Sequence, residues 1–531
     1  MSNSKLIFWV SLFLLAVGNF SFFSHLVEVY PLNWQNLPFL LSVVVVLGCV
    51  NLVLLSLVCF GRATKWVLIT LLITTAAAAY FMDAYHVIID DDMIDNALKT
   101  DLHESLDLVS WKLILYLVLM GVVPAYLVYR APRVKQNLRQ AIISRAKLLT
   151  GALVLLIGVV VAFGDHYASF AREHKSLRYY TNPAYYLYAL GKTVGKHFKQ
   201  DSGPMKVIGK DALIPQHDED RELVILVVGE TARSDHFSLN GYARDTNPLL
   251  AREKVASFRN VWACGTSTAI SVPCMFSIYD QDGYSKSKAA RTENVLDILQ
   301  RAGVSVLWLD NNSDSKGVAL RVPYQSYKSP DINPECDSEC RDLGMLSNLQ
   351  EHIDAHPDGD LLVVLHQMGN HGPAYYKRYP AEFERFTPVC QTNELAQCDR
   401  QSIDNTYDNA ILYTDYFLSQ VIELLKRNAK QFEAAMFYVS DHGESLGENN
   451  LYLHGLPNLL APDTQKHVPM IFWYSDSFLE DGISVDLLRD RLDEKLSHDN
   501  VFHTLLGLFE VETGVYDPKQ DLSHRDTDTS H

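Results

Sequence analysis

The sequence predicts a protein in two parts: a bundle of five transmembrane helices, followed by an α/β domain built on a mostly parallel sheet. Three observations lead to this prediction. The chain has 531 residues, which is too many for one hydrophobic core. Long apolar runs fill its first third, and short β-rich runs alternate with helical patterns after residue 220. We therefore expect a transmembrane domain at 1–165, an interfacial helix and linker at 166–220, and an α/β domain outside the membrane at 221–531.

Five apolar runs predict the membrane spans. Each is close to the ~20 residues with which a helix crosses the hydrocarbon of a bilayer. The last run is short, so we expect its helix to include the preceding residues 141–143. We expect the first run to be a retained helix, because four further runs follow it and it lacks a convincing small-residue cleavage site. The runs are Leu6–Phe23, Leu37–Phe60, Trp66–Tyr85, Trp111–Tyr129 and Leu148–Phe163.

The charged loops predict the orientation of these helices. "GRATK" and "RAPRVKQNLRQAIISRAK" are basic and contain no acids, whereas "IIDDDMIDNALKTDLHESLD" carries seven acids and one Lys. The positive-inside rule places the two basic loops in the cytoplasm. With five crossings and the N-terminus inside, the chain after residue 165 lies outside, which in a bacterium is the periplasm. The aromatic and basic residues just after the fifth run are typical of a helix at the membrane surface.

Composition indicates an oxidising compartment and argues against one class of partner. The formal net charge of −17 is unfavourable for binding nucleic acid. Six cysteines of the outer domain fall into three close pairs, and none has zinc-finger spacing. Such pairs outside the cytoplasm favour local disulfides. The predicted bonds are Cys264–Cys274, Cys336–Cys340 and Cys390–Cys398.

Short, almost continuous apolar runs predict the strands of the outer domain. Runs of this kind are typical of parallel strands that are covered by helices on both faces. Helical patterns such as "ENVLDILQRAG" and "YTDYFLSQVIELLKRNAK" separate them, which indicates an α/β sandwich. The predicted strands are 223–229, 304–310, 361–368, 434–440 and 468–474.

Acids and imidazoles follow several of these strands and predict a metal site. In open α/β sheets, ligands bind beyond the carboxyl ends of the strands, and these ends share one edge. The side chains expected at this edge are Glu230, His371, Asp441, His442 and His454. A mixed oxygen and nitrogen donor set suits zinc.

A loop rich in hydroxyl groups supplies candidates for a nucleophile. The stretch "CGTSTAISVPCMFS" (264–277) leads into a helical turn, where free backbone N–H groups favour phosphate. A hydroxyl bound to zinc loses its proton more easily and becomes a nucleophile. Spacing alone does not choose among Thr266, Ser267 and Thr268.

Five long motifs carry a resemblance to a known family. They are "VVGETARSDHFSLNGYARDTNP", "CGTSTAISVPCMFS", "DNNSDSKGV", "HQMGNHGPAYYKRY" and "YVSDHGESLGENNLYLHG". With them, the chain resembles the phosphoethanolamine transferases that modify lipid A, and especially the mobile colistin-resistance enzymes. The resemblance extends over nearly the whole chain and implies a periplasmic domain of the alkaline phosphatase and sulfatase type.

The resemblance also implies roles for individual residues. Glu230, Thr268, Asp441 and His442 match the primary zinc ligands, and Thr268 matches the nucleophile. His371 and His454 match residues that bind the transferred phosphoryl group or a second zinc ion. Asn312, Ser313 and Lys316 match positions of the substrate pocket. Asn96, Thr100 and Glu104 match polar substrate-binding residues that reach the active site from the membrane domain. The spacing of these last three also places them on one helix face. One departure is that "NNSDSKGVALRVP" lacks cysteines that many relatives have there.

The resemblance implies an inner-membrane enzyme that moves phosphoethanolamine from phosphatidylethanolamine to a lipid A phosphate through a phospho-threonine. The expected cofactor is Zn²⁺, and the expected partners are the two lipids and the bilayer, with no nucleic acid and a monomeric protein. Transfer lowers the negative charge of the outer membrane and gives resistance to polymyxins such as colistin. The alternatives are transfer to a lipopolysaccharide core sugar, a membrane-anchored metal phosphohydrolase, and a sensor with structural zinc. A sulfatase is disfavoured because the nucleophile loop has no Cys/Ser-x-Pro-x-Arg segment.

Overall fold

A computed structural model describes residues 1–99, 102–132, 134, 137–164, 166–167, 170, 174–198, 203–215, 220–480 and 485–523. The chain forms two compact units. The first unit comprises Met1–Leu98 and Val109–Lys199, and the second comprises Lys99–Leu108 and Gln200–His531. The short segment Lys99–Leu108, from the acidic loop of the apolar third, therefore belongs to the second unit.

Long apolar helices dominate the first unit. The helices of this part of the chain are numbered in chain order, and α6 among them belongs to the second unit. They are α1 (Asn3–Val17), α2 (Phe20–Val29), α3 (Leu37–Val58), α4 (Thr64–Tyr85), α5 (Asp91–Lys99), α6 (Leu102–Asp107), α7 (Trp111–Tyr116), α8 (Val123–Arg130), α9 (Leu138–Ala162) and α10 (Ala184–Phe198). A π-helical segment, Leu117–Val122, joins α7 to α8. Within the described residues, four helices are long and apolar enough to cross a membrane, and α1 with α2 makes a fifth span if this bent pair counts as one.

The first predicted span is bent by 53° between α1 and α2. Asn19 lies at the break and is buried. Its amide donates to the Leu14 carbonyl at 2.9 Å and to the Asn182 carbonyl at 2.8 Å. A polar side chain that bonds backbone groups in this way competes with the helical ladder, and this accounts for the interruption of an otherwise apolar run.

The last span begins earlier than its apolar run suggests. The helix α9 starts at Leu138. The apolar run starts at Leu148, and the helix was expected to extend back only to residues 141–143. A capping box explains the early start, because Asn137 accepts from the backbone of Gln140 and the Gln140 side chain accepts from the backbone of Asn137.

An eight-stranded sheet forms the centre of the second unit. The order is β10-β2-β9-β6-β1-β5-β3-β4, and β9 runs antiparallel to β2 and β6 while the other pairs are parallel. The mostly parallel sheet of the prediction is thus confirmed, and the apolar run at 468–474 is its antiparallel member. The bounds are β1 (Glu222–Gly229), β2 (Ala256–Trp262), β3 (Ser305–Asp310), β4 (Tyr324–Ser326), β5 (Leu361–His366), β6 (Glu433–Ser440), β7 (Ser445–Leu446), β8 (Tyr452–Leu453), β9 (His467–Tyr474) and β10 (Leu496–Ser497). The strands β7 and β8 form a separate antiparallel ribbon.

Helices cover both faces of this sheet. Alternate residues of β1 enter two different cores: Val224, Leu226 and Val228 pack on one face, and Leu223 and Ile225 belong to the other. Because both faces are covered, every residue of β1 is buried, and this explains its continuous apolar sequence. The helices are α11 (Thr268–Met275), α12 (Lys286–Ala289), α13 (Val295–Ala302), α14 (Leu349–Asp354), α15 (Arg400–Asn428), α16 (Asp476–Glu480), α17 (Val485–Asp490) and α18 (Asp499–Leu508).

Three disulfides close short loops of the second unit. They join the pairs expected from spacing: Cys264 to Cys274, Cys336 to Cys340, and Cys390 to Cys398. The two remaining cysteines, Cys49 and Cys59, are buried in the first unit and are not disulfide-bonded.

Candidate active site

Two neighbouring parallel strands deliver acids to one edge of the sheet. The register pairs Gly229 of β1 with Ser440 of β6. The next residues, Glu230 and Asp441, are therefore side by side, and the Asp441 N–H donates to the Gly229 carbonyl at 2.9 Å. Both carboxylates are almost completely buried. This is the carboxyl edge at which α/β sheets bind ligands.

Four side chains converge at this point. The His442 Nε2 atom is 3.4 Å from Glu230 Oε1 and 3.3 Å from Asp441 Oδ2. The Thr268 hydroxyl donates to Glu230 Oε2 at 3.1 Å and is 3.5 Å from His442 Nε2. The predicted residues Glu230, Thr268, Asp441 and His442 thus share one buried cluster.

The turn into the α11 helix selects one of the three hydroxyl groups that spacing left open. Thr268 is the first residue of that helix, and its Oγ1 atom points to Glu230. The Thr266 hydroxyl instead donates to the Leu456 carbonyl at 2.6 Å, and the buried Ser267 hydroxyl makes no hydrogen bond within the described residues. Thr266 therefore tethers the loop, whereas Thr268 presents its hydroxyl to the acids.

His442 has the tautomer that a metal ligand requires. Its Nδ1 atom is 2.9 Å from the Gly443 carbonyl, so Nδ1–H donates there. The lone pair of Nε2 is then directed at the two carboxylates. A backbone carbonyl that orients the second ring nitrogen is a common support for histidine ligands.

Burial makes the charges of this cluster costly. It raises the pKa of Glu230 to about 7, with a further rise from Asp441, and it raises the pKa of Asp441 to about 6. Burial also lowers the pKa of His442 to about 4. Two buried acids beside a neutral imidazole form a site whose ionised state a divalent cation would stabilise.

The residues fit zinc. Among the described residues, the buried atoms Glu230 Oε1 and Asp441 Oδ2 have no hydrogen-bond partner. These atoms face His442 Nε2, and the three residues form a group able to hold a metal ion. Tetrahedral ligands at about 2.0–2.1 Å from zinc lie roughly 3.3–3.4 Å from one another. The distances of 3.3–3.5 Å from His442 Nε2 to Glu230 Oε1, Asp441 Oδ2 and Thr268 Oγ1 agree with this requirement.

A second group of side chains adjoins the first. His454 packs on His442 with ring centroids 4.3 Å apart, and His371 is 5.5 Å from His454. The Nδ1 atom of His454 is 2.7 Å from Glu444 Oε2, and the Tyr375 hydroxyl donates to Glu444 Oε1 at 2.7 Å. His442, Glu444 and His454 form a second group able to hold a cation.

The two outer histidines have opposite electrostatic environments. Burial disfavours the charged form of His454, but the Glu444 carboxylate outweighs this effect and raises the pKa of His454 to about 9. Burial lowers the pKa of His371 well below its usual value, and charge on His454 lowers it further. At neutral pH the pair therefore offers one charged and one neutral imidazole.

The loop after β3 supports Glu230 from the other side. Asn312 donates to Glu230 Oε2 at 2.8 Å and to the Gln367 carbonyl at 2.7 Å. The Lys316 ammonium donates to the Ser313 carbonyl at 2.7 Å. Asn312 is thus a positioning residue for the carboxylate, while Lys316 places a positive charge beside the cluster.

Two predicted residues fall outside the structural description, and a third belongs to the other unit. Thr100 and the side chain of Glu104 lie outside the described residues, and Asn96 lies in the first unit. Sequence reasoning missed Glu444 and Tyr375 as parts of the site. Glu444 follows Asp441 and His442 in the same "SDHGES" motif, which is the signal that could have indicated it.

Comparisons with known proteins agree with this arrangement. The family model described as Phosphoethanolamine transferase EptA/EptB matches residues 47–198, and the Sulfatase model matches residues 222–511. Phosphatidylethanolamine transferase Mcr-1 of Escherichia coli is 46% identical over 94% of both chains. Phosphoethanolamine transferase EptA of Escherichia coli K12 is 39% identical over 95% of this chain and 93% of its own length.

A solved structure shares the whole architecture. The integral membrane protein lipooligosaccharide phosphoethanolamine transferase A from Neisseria meningitidis superposes with a TM-score of 0.94 at 35% identity, over 98% of this chain and 99% of that one. The described helices, the sheet and the identity over nearly the full length all lead to one assignment. The chain belongs to the phosphoethanolamine transferases, integral proteins of the bacterial inner membrane with a periplasmic catalytic domain.

Proposed function

We propose that this chain transfers phosphoethanolamine from phosphatidylethanolamine to a phosphate of lipid A, through a covalent adduct on Thr268. The observation that carries the proposal is the contact of the Thr268 hydroxyl with Glu230 and His442 in a buried donor cluster. The relatives named Mcr-1 and EptA are transferases of this headgroup. Transfer would mask a phosphate and add an ammonium group, which lowers the attraction of the outer membrane for polymyxins and so gives colistin resistance.

Glu230, Thr268, Asp441 and His442 would hold one zinc ion. When bound, zinc would act as a Lewis acid that lowers the pKa of the Thr268 hydroxyl and offsets negative charge on the phosphoryl oxygens. Glu230 serves two purposes through its two oxygens: Oε1 faces His442, and Oε2 accepts from Thr268 at 3.1 Å. We propose that this second oxygen takes the Thr268 proton.

The first half-reaction forms the bond between Thr268 Oγ and phosphorus and breaks the bond from phosphorus to the diacylglycerol oxygen. Diacylglycerol then leaves as an alcohol, so its oxygen needs a proton. His454, held by Glu444 at 2.7 Å, is the group that supplies it. Lys316 and His371 contact the equatorial phosphoryl oxygens in this proposal.

The second half-reaction restores the enzyme. An oxygen of the lipid A phosphate attacks the phospho-threonine, forming a new oxygen–phosphorus bond and releasing Thr268. Glu230 returns its proton to the Thr268 oxygen, and His454 recovers one from solvent or from the acceptor phosphate. This two-step scheme is the ping-pong chemistry expected of an activated hydroxyl.

A trapping experiment tests the proposal. The full-length protein, loaded with zinc, is incubated with phosphatidylethanolamine alone and digested for mass spectrometry. We expect a phosphoethanolamine adduct on Thr268 and release of diacylglycerol. Thr268→Ala should lose transfer by at least about 10³-fold, while Thr268→Ser should retain part of it. Full transfer by Thr268→Ala would refute the covalent mechanism.

The identity of the acceptor needs a separate measurement, because the alternative functions differ in the group that receives phosphoethanolamine. Mass spectrometry of lipid A from cells expressing the chain should show added phosphoethanolamine on the lipid A phosphate. A relative named Kdo(2)-lipid A phosphoethanolamine 7''-transferase is 29% identical, which favours a core-sugar acceptor as the second candidate. Modification of the core sugar alone would support that candidate. Free phosphoethanolamine without any lipid product would indicate a phosphohydrolase.

A further inference from the structure

A second concave region lies at the same edge of the sheet as the candidate active site. It is a cavity of about 760 Å³ lined by Trp262 and Ala263 at the end of β2, by Leu496 and Ser497 of β10, and by Leu459 of a nearby loop. The strands β2 and β10 are parallel to each other, and β2 is parallel to β6 through the antiparallel β9 between them. The carboxyl ends of β2, β10 and β6 therefore face the same way.

Positive side chains surround this cavity. Lys466, Arg491, Lys495 and Lys519 all line it. Arg491 is compensated by Glu494 at 2.8 Å. Lys495 and Lys519 are exposed, and no ion pair of their ammonium groups occurs among the described residues. In a chain with a formal net charge of −17, such a cationic lining is a local exception.

Fewer acids than bases line the cavity, since Glu494 and Asp499 are the two acids beside the four cations. Lys466 is 3.8 Å from the exposed Asp463 carboxylate, a distance at which attraction in water is weak. The Asp499 carboxylate also lines the cavity, but it accepts from the Gln281 N–H at 2.9 Å, and burial raises its pKa. The lysines are therefore left to attract an anionic ligand.

The cavity shares its wall with the loop that carries the nucleophile. The Ala263 N–H donates to the Lys466 carbonyl at 2.8 Å, and Thr268 follows Ala263 by five residues in the chain. In the sheet order, β2 lies two strands from β6. Two strand spacings are about 10 Å, and β10, which follows Lys495, adds a third, so the cavity extends over roughly 10–14 Å from β6.

We propose that this cavity binds the second anionic group of the acceptor, so that the preferred acceptor is a glycolipid with two phosphates. One phosphate would attack at Thr268 while the other lies between Lys495 and Lys519. Lipid A has this chemistry, because its disaccharide carries a phosphate at each end. The donor has a single phosphate, so the cavity serves only the second half-reaction. This inference rests on the proposed function and specifies its acceptor.

The test separates the two half-reactions in the full-length protein. A Lys495→Glu/Lys519→Glu variant is compared with a Lys210→Glu/Lys430→Glu variant, which changes the net charge equally. Lys210 and Lys430 are exposed, and Lys430 precedes β6 at the opposite edge of the sheet. Formation of the Thr268 adduct from phosphatidylethanolamine is measured first. Transfer to bisphosphorylated and to monophosphorylated lipid A is then measured separately.

The expected result is specific to one step and one acceptor. Adduct formation stays within about twofold of the parent, because the donor does not reach the cavity. Transfer to bisphosphorylated lipid A falls by at least about tenfold, mainly through KM, because two attractive contacts become repulsive. Transfer to monophosphorylated lipid A, already slow in the parent, changes little. The control variant behaves as the parent in every assay.

Three results would overturn the inference. One is undiminished transfer to bisphosphorylated lipid A in the Lys495→Glu/Lys519→Glu variant. Another is an equal loss with both acceptors, which would mean that the cavity does not read the second phosphate. Both leave the adduct on Thr268 intact, so the proposed function would stand. Absence of the adduct in the parent protein is the third, and it would remove the proposed function together with this inference.

Discussion

The Glu444 carboxylate lies 2.7 Å from Nδ1 of His454, and the contact sets the charge of that histidine. Glu444 is fully buried and has a second partner, because the Tyr375 hydroxyl donates to its other oxygen at 2.7 Å. These two contacts fix the position of the carboxylate beside the imidazole. His454 is therefore kept protonated, with its Nε2–H available to the phosphoryl group in the proposed mechanism.

Glu444→Gln should weaken the acid step. The amide can still accept from Tyr375, but it cannot stabilise an imidazolium, so the pKa of His454 should fall from about 9. We expect kcat to drop by roughly 10²-fold and the alkaline limb of the pH–rate profile to move to lower pH. Glu448→Gln is the control, because Glu448 pairs with Arg233 and Arg400 instead of a histidine. An unchanged alkaline limb in Glu444→Gln would contradict the assignment.

Zinc binding should become tighter as pH rises. Burial raises the pKa of Glu230 to about 7 and that of Asp441 to about 6 in the metal-free protein, above their values in the unfolded chain. The metal-free fold therefore binds extra protons, and the stability that they contribute is present at low pH and lost as pH rises through 6–7. Zinc requires both carboxylates ionised, so its affinity changes in the opposite direction.

Thermal unfolding with zinc and with a chelator measures this linkage. Zinc at about 100 times its Kd stabilises the fold by about 2.7 kcal/mol. We expect the zinc-dependent shift in Tm to be large at pH 7.5 and much smaller at pH 5.5. Glu230→Gln should abolish most of the shift at both pH values. Equal shifts at the two pH values in the parent would show that these carboxylates are not the ligands.

Much of this site was predictable because buried parallel strands have continuous apolar sequences and their carboxyl ends share an edge. Glu230 and Asp441 follow β1 and β6, so their proximity could be predicted from that rule alone. The choice of hydroxyl could not be predicted in this way. It depends on how the loop before α11 is turned, since Thr266 is diverted to the Leu456 carbonyl.

Other features depend on partners that are distant in the sequence. An apolar run carries no direction, so the antiparallel course of β9 was not evident from its residues. The bend after α1 requires the Asn19 amide to meet Asn182, a contact between positions far apart in the chain. The role of Glu444 likewise becomes visible only when Tyr375 and His454 are placed around it.

Arg378→Leu should destabilise the second unit. The Arg378 guanidinium is buried and donates to Asp107 at 2.6 Å, to Glu339, and to the His371 carbonyl at 2.6 Å. Its removal takes the Arg378 partner from the half-buried Glu339 carboxylate and leaves the buried Asp107 carboxylate with Lys377 alone. Breaking a buried ion pair in this way costs about 3–5 kcal/mol.

Thermal unfolding of the full-length protein measures the loss at Arg378. Arg378→Lys keeps the charge without the planar fork and should lie between the parent and Arg378→Leu. A Tm of Arg378→Leu equal to that of the parent would exclude this role.

His498 links the two segments that carry the candidate ligands. Its Nδ1 atom accepts from the Cys264 N–H at 3.2 Å, and its Nε2–H donates to the Ser440 carbonyl at 2.9 Å. Cys264 precedes the loop of Thr268, and Ser440 precedes Asp441. Burial lowers the pKa of His498 to about 4. A proton on Nδ1 would in addition face the Cys264 N–H group.

His498→Gln should flatten the acid dependence of stability. Below about pH 6.5 the unfolded chain takes up a proton at His498 and the folded chain does not, so the parent loses stability as pH falls toward 4. The difference between the two pKa values corresponds to roughly 3 kcal/mol. Glutamine can accept from the Cys264 N–H and donate to the Ser440 carbonyl without titrating. Tm is compared between pH 7 and 4.5 for both proteins with chelator present, so that the zinc ligands contribute equally. We expect a smaller decrease in Tm for His498→Gln, and parallel decreases would show that this histidine does not govern the acid sensitivity of the fold.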